Sequence, residues 1–174
     1  MKNYNRISVF SHDDFDVKMY RLGLDDSNVE ECKNFNAFIS IIGSNDSQKY
    51  YLEDDERHWF KINHENVLNV EFDDIEEDEL LYKGVNFKGI TNEQSEQIVD
   101  FIEKNKGKNF FLHCRAGRSR SAAICRYILD IYGEEYGYNE KESCRKENPC
   151  KTPNINVLTK LKRAYYKKFN IYES

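Results

Sequence analysis

Nine consecutive residues, His113-Cys114-Arg115-Ala116-Gly117-Arg118-Ser119-Arg120-Ser121, set one thiol among three guanidinium groups and two hydroxyls. The apolar run Asn109-Phe110-Phe111-Leu112 precedes them, and an alanine-rich apolar stretch from Ala122 to Ile131 follows. The pattern reads as a buried strand feeding a helix through a tight loop. Such a loop aims several backbone N–H groups at one point, where the helix N-terminus adds its partial positive charge. Gly117 lets the backbone curl without a Cβ clash. The expected product is a cradle for a tetrahedral dianion. It is built on Arg115, Ala116, Gly117, Arg118 and Ser119, and Arg120 clamps two oxygens with a planar fork that lysine lacks.

Cys114 sits at the base of this cradle, where an attacking group belongs. A free thiol with a pKa of about 8.5 is a weak nucleophile, but helix N-termini and cationic neighbours lower such values to about 3.5–7.5. A thiolate in a phosphate-sized cradle points to covalent catalysis through a phosphocysteine. Ser121 is placed to hydrogen-bond the sulfur as it leaves, and His113 to order the loop rather than to move protons. Taken singly, Cys114 reads as a small buried hydrophobe and Arg120 as a surface ion-pair partner. Arg115 and Arg118 either face solvent or make the pocket mouth basic. It is the joint register that selects catalysis.

These residues resemble the signature of the protein tyrosine phosphatase superfamily: His, Cys, two variable residues, Gly, two variable residues, Arg, then Ser or Thr. Every fixed position is present in order. The resemblance implies hydrolysis of phosphotyrosine in a phosphorylated protein substrate, with phosphoserine and phosphothreonine kept open, and needs no cofactor and no metal. It also implies a general acid on a loop ahead of the signature. Val70-Glu71-Phe72-Asp73-Asp74-Ile75 ends a strand at the right place, and Asp74 is the expected acid, with Asp73 and then Asp78 as alternatives. Asp74 lies 40 residues before Cys114, farther than in compact dual-specificity members. A loop from Leu80 to Gly89 absorbs the extra length. The Phe72-Asp73-Asp74-Ile75 segment before a long loop, and Pro153-Asn154 before the last helix, resemble the small bacterial and phage tyrosine-phosphatase-like proteins. The resemblance is close over residues 66–132 and loose elsewhere.

Other readings stay open. Arginines at 115 and 118 resemble the phosphoinositide-directed branch, and an RNA 5′ end is a second polyanionic substrate. Rhodanese-like sulfurtransferases also use a cysteine loop, although the Arg120-Ser121 ending favours phosphate. A non-catalytic phosphopeptide-binding module would be expected to lose Cys114 or Arg120. Low-molecular-weight tyrosine phosphatases and arsenate reductases carry the loop near the N-terminus, and here it comes late.

The elements that must hold this loop are legible as short runs. Ile7-Ser8-Val9-Phe10, Ala37 to Ile42 and Val67 to Phe72 read as strands, with a turn at 43–46. Thr91 and Gln94 have the form of a capping box, and Ile98, Phe101 and Ile102 mark one helical face as far as about Asn105, closed by Gly107. Gly133 stops the helix after the loop. Asn139 with Glu142 is placed to cap a short helix, and Thr152-Pro153-Asn154 opens a last one with Leu158, Leu161, Tyr165 and Phe169 on its inner stripe. The expectation is an α/β fold in which a central, mostly parallel sheet is flanked by helices, as one domain over residues 1–174.

Composition agrees with a soluble chain: 39% of residues are hydrophobic and 33% charged, with a formal net charge of −5 that argues against general nucleic-acid binding. No run is long enough to span a membrane and no signal peptide is visible. Five cysteines without a CxxC pair speak against a disulfide framework and for a reducing cytoplasm. Cys144 and Cys150, with no histidine beside them, make no metal site. Gly84 to Gly89 lacks the Gly-Lys pattern of a nucleotide loop. Cys125 reads as core, or as a thiol that could resolve an oxidised Cys114. His12, His58 and His64 carry no motif. Residues 53–79 hold twelve acidic side chains against two basic ones, and residues 141–174 hold nine basic against three acidic. Both read as solvated faces. Oligomeric state leaves no mark in the sequence.

Overall fold

The computed structural model describes residues 4–45, 47, 57–143 and 152–171. Cys144 and Cys150 lie outside the described residues, as do Glu53 to Glu56 of the acidic run. Five parallel strands make the central sheet, in the order β3-β2-β6-β1-β7. They are β1 (Asn5–Phe10), β2 (Asn36–Ile42), β3 (Val67–Glu71), β6 (Asn109–His113) and β7 (Tyr136–Tyr138). A separate antiparallel hairpin joins β4 (Glu79–Tyr82) to β5 (Val85–Lys88). The helices with bounds among the described residues are α1 (His12–Leu22), α2 (Asn92–Lys104), α3 (Arg120–Tyr132) and α4 (Ile155–Lys168), with a 3-10 turn at Val29–Cys32.

Alternation along each strand sorts the side chains onto two faces. Ile7, Val9, Ile39, Ile41, Phe110 and Leu112 meet α2, α3 and α4 in one apolar cluster. Phe10, Phe38 and Phe111 join Phe15 and Met19 of α1, with Phe60, in the other. Burial on both faces explains why these strands read as almost unbroken apolar runs. No helix among the described residues is long and apolar enough to cross a membrane.

Helix ends follow local chemistry. The Thr91 hydroxyl accepts from the Gln94 N–H at 3.1 Å while Gln94 Oε1 accepts from the Thr91 N–H at 3.0 Å, a reciprocal capping box. Ser11 caps α1 by accepting from the Asp14 N–H, and Gly23 ends it at φ 65°. The Asn154 side chain caps α4 at the Val157 N–H.

Several expectations change. The 80–89 segment is not a loop but the β4–β5 hairpin, turned by Lys83 and Gly84 at φ 49° and 78°. Asn139 and Glu142 make a turn rather than a helix, with the Asn139 amide bonded to Glu142 and to Ser8. Of the expected stripe on α4, Leu161 is buried and Leu158 and Tyr165 pack half-buried against the core, but Phe169 is exposed, and Val157 and Ala164 are buried beside Leu161. α3 ends at Gly133 as expected, in right-handed geometry.

Candidate functional site

β6 is the middle strand, and the chain leaves its C-terminal end into residues 114–119 before α3 begins. Clefts of open parallel sheets form at this edge, where connections depart to opposite sides. Here β1 connects through α1 on one face, and β6 connects through α3 on the other. Pleat alternation then aims Cys114 at the α3 face, within its apolar cluster, and His113 at the α1 face, where its ring lies 4.3 Å from that of Phe15.

Gly117 turns the loop at φ 65°, a conformation that side chains with a Cβ resist. The Arg115 carbonyl accepts the N–H of His12 at 3.0 Å, so the first residue of α1 ties the loop to β1. Arg115 is half-buried, while Ala116 and Arg118 are exposed. Ser119 stands at the N-cap of α3 but does not cap it with its side chain. Its hydroxyl donates instead to Oδ1 of Asp74 at 2.6 Å.

The Cys114 sulfur is buried and lies 3.0 Å from the Ser121 hydroxyl. Burial pushes its thiol pKa up, but the Arg120 guanidinium and hydrogen bonds from Ser121 and Ser119 outweigh burial and bring it below the ordinary thiol value. Arg120, only 5% exposed, donates from Nη1 to the Phe72 carbonyl at 2.7 Å. Its buried Nε has no hydrogen-bond partner among the described residues. Leaving a charged donor unpaired in a buried place is expensive, so this edge of the guanidinium is shaped for an acceptor that arrives from outside.

The carboxylates separate cleanly. Asp73 is buried, and its two oxygens accept from the Ser44 N–H, the Ser44 and Ser47 hydroxyls and the Lys88 N–H. It fastens the end of β2 to β5. Asp78 is exposed and ion-paired to Lys160 of α4. Asp74 is exposed and reaches the loop, with Oδ1 held by Ser119 and by the Asn154 amide at 2.8 Å. Oδ2 has no protein partner among the described residues.

The structure thus brings together Cys114, Arg120, Ser121, Ser119 and Asp74 on one side of the sheet, with His113 behind them. Cys125 is fully buried on α3, and Cys32, Cys114 and Cys125 are free thiols. Three site residues escaped sequence reasoning. Asn154 was legible as a helix start, but not its second use on Asp74 and on the Ile75 carbonyl. Ser40, aligned with His113 across β2 and β6, and His58 complete a hydrogen-bonded row behind the loop.

A buried sulfur shifted toward its thiolate, beside a guanidinium with one open N–H, can attack an electrophilic centre that carries anionic oxygens. A carboxylic acid held by one oxygen can protonate what leaves. No protein-family model, curated protein or solved structure matches this chain.

Proposed function

We propose that this chain is a cysteine-dependent phosphatase of the protein tyrosine phosphatase type, hydrolysing phosphotyrosine in proteins. The observation that carries the reading is the Arg120 Nε, buried without a partner next to a thiol shifted toward its ionised form. A bound phosphoryl group supplies the missing acceptor and the electrophile at once.

In the first step the Cys114 thiolate donates its electron pair to phosphorus, forming an S–P bond as the P–O bond to the tyrosyl oxygen breaks. Arg120 and the loop amides hold the non-bridging oxygens throughout. The proton on Asp74 Oδ2 goes to the departing oxygen; Oδ1 cannot carry it because it accepts from Ser119 and Asn154. In the second step water attacks phosphorus and gives its proton to the Asp74 carboxylate. The S–P bond breaks, its electron pair returns to sulfur, and the Ser121 hydroxyl steadies the thiolate.

Exposed Glu76 and Glu77 follow Asp74 after Ile75 and repel polyanions, which supports a phosphopeptide over a phosphoinositide or an RNA 5′ end. Free thiols at Cys32, Cys114 and Cys125 suit work in a reducing, cytoplasmic compartment.

The test is hydrolysis of a phosphotyrosine peptide by the wild type and by Cys114→Ser, beside phosphoserine peptides and soluble inositol phosphates. Near-total loss in the variant with peptide turnover in the wild type supports the reading. A preference above tenfold for inositol phosphates overturns the substrate assignment, and unchanged turnover in Cys114→Ser overturns the mechanism.

A further inference from the structure

We propose that Ser40 and His58 are positioning residues for the Cys114 loop, acting from the opposite face of the sheet by holding His113 in a single tautomer. The proposal deepens the reading of Cys114 as nucleophile and rests on it, but its deciding readout, the tautomer of His113, does not depend on catalysis.

Ser40 and His113 are aligned partners on β2 and β6, so their side chains rise side by side on the α1 face. The Ser40 Oγ lies 2.6 Å from His113 Nε2 and 2.6 Å from His58 Nδ1. All three groups are shielded: Ser40 and His113 are fully buried, and the His58 side chain is 13% exposed. One hydroxyl has one proton, so it donates to one imidazole and accepts from the other.

The direction of the row is read from its inner end. His113 Nδ1 faces the Cys114 carbonyl at 3.4 Å, and a carbonyl can only accept. Nδ1 therefore carries the hydrogen. Burial, with His12 the next cause, holds the His113 pKa well below the imidazole range, so the ring is neutral and Nε2 is bare. The Ser40 O–H must donate to that nitrogen, and its oxygen must accept an N–H from His58 Nδ1.

The outer end does not reverse this polarity. His58 Nε2 lies 3.6 Å from Glu71 Oε1, too far for a hydrogen bond, with Lys61 and His12 as the other charged or titratable neighbours. Burial, then His12 and Lys61, bring the His58 pKa down to about 4, so the ring is neutral and its one hydrogen sits on Nδ1, toward Ser40. The rings of Phe15 and His12, at 4.3 and 5.5 Å, fix the plane of His113.

The effect on the site passes through the backbone. Cys114 and His113 lie on opposite faces, so the imidazole never meets the sulfur or a substrate. Its N–H instead turns the Cys114 carbonyl toward the α1 face. A His113 in the other tautomer would set a lone pair against the Cys114 carbonyl oxygen, and the peptide that carries the nucleophile would lose its orientation.

The experiment is nitrogen-15 NMR of the imidazoles in the full chain, which distinguishes a protonated from a bare ring nitrogen. In the wild type the expected result is His113 protonated at Nδ1 and bare at Nε2. Finding the hydrogen on Nε2, or an even mixture, overturns the proposal without touching the phosphatase reading, just as failure of that reading would leave the tautomer unchanged. His58→Leu is expected to give a tautomer mixture. It should also lower kcat on p-nitrophenyl phosphate on the order of tenfold, since a misplacement of about 1 Å costs up to about a hundredfold. His58→Asn, whose amide can replace the Nδ1 donor, is expected to restore both. A folded His58→Leu protein with an unchanged tautomer overturns the proposed role of His58.

Discussion

The side-chain amide of Asn154 donates to Oδ1 of Asp74 across 2.8 Å, although 80 positions separate the two residues. The same Asn154 accepts from the Val157 N–H and donates from its own backbone to the Ser119 carbonyl. One buried residue therefore joins the start of α4, the loop of the carboxylate and the loop of the thiol. Asn154→Ser keeps a capping oxygen but loses the reach to Asp74. Its stability should fall by about 1 kcal/mol or less, since serine caps as well as asparagine. Activity on phosphotyrosine peptide should fall by about tenfold or more, because the acid loses half its restraint. Urea unfolding and peptide kinetics on the same sample separate the two effects.

Asp74 and Asp73 should respond in opposite ways. Asp74→Asn should slow peptide hydrolysis by about 10²–10⁴-fold, the usual contribution of a positioned acid. An aryl phosphate with a good leaving group needs little protonation and should be much less affected. Asp73→Asn instead faces the Ser44 and Lys88 N–H donors with an amide, costing about 1–3 kcal/mol of stability while leaving the ratio of the two substrates unchanged. If Asp73→Asn changed the leaving-group ratio and Asp74→Asn did not, the acid assignment would be reversed.

The sulfur should titrate below an ordinary thiol. Alkylation of Cys114 by iodoacetamide, followed against pH, should therefore reach half its maximal rate below the free-thiol value of about 8.5. Arg120→Met and Ser121→Ala each remove a group that favours the thiolate, so both profiles should move to higher pH. A profile that stays put in Arg120→Met would mean that the guanidinium does not act on the sulfur.

Acid should weaken the fold through two imidazoles. Burial, with His12 next, depresses His113, and His58 is lowered from 6.5 to about 4 by burial and then by His12 and Lys61. Above pH 6.5 folded and unfolded chains both leave these rings neutral. Below it the unfolded chain takes up protons that the folded chain refuses, so stability is lost as pH falls from 6.5 toward 4, at about 1.4 kcal/mol per unit for each ring. Urea midpoints between pH 7 and 5.5 should decline, and His58→Gln should decline less steeply. Equal slopes for the two proteins would show that His58 is not held neutral.

The parts of this site that were legible in the sequence are local. The Thr91 capping box, the apolar Phe110-Phe111-Leu112 strand and the Gly117 bend each depend on neighbours a few residues away, and each appears in place. α1 was not read because it buries only Phe15 and Met19, too sparse a stripe to announce a helix, although Ser11 and Gly23 bracket it. The β4–β5 hairpin was missed because Lys83 takes a positive φ where asparagine or glycine is the usual signal. β7 is three residues long and owes its extended form to pairing with β1. At the site itself, Cys114, Arg120 and Ser121 lie within one turn of chain. Asn154, Ser40 and His58 meet it only after the sheet has formed, and although Thr152-Pro153-Asn154 announces a helix start, no local pattern marks the part any of the three plays at the site.

The central claim is that Cys114 becomes phosphorylated during turnover. Asp74→Asn should slow the steps that need the carboxylate, so after mixing with an aryl phosphate and rapid acid quenching the intermediate should accumulate. Peptide mass spectrometry should then find one phosphoryl group on the peptide containing Cys114, and none in Cys114→Ser. Hydrolysis without any such adduct, in a protein that keeps its activity after Cys114→Ser, would contradict the account.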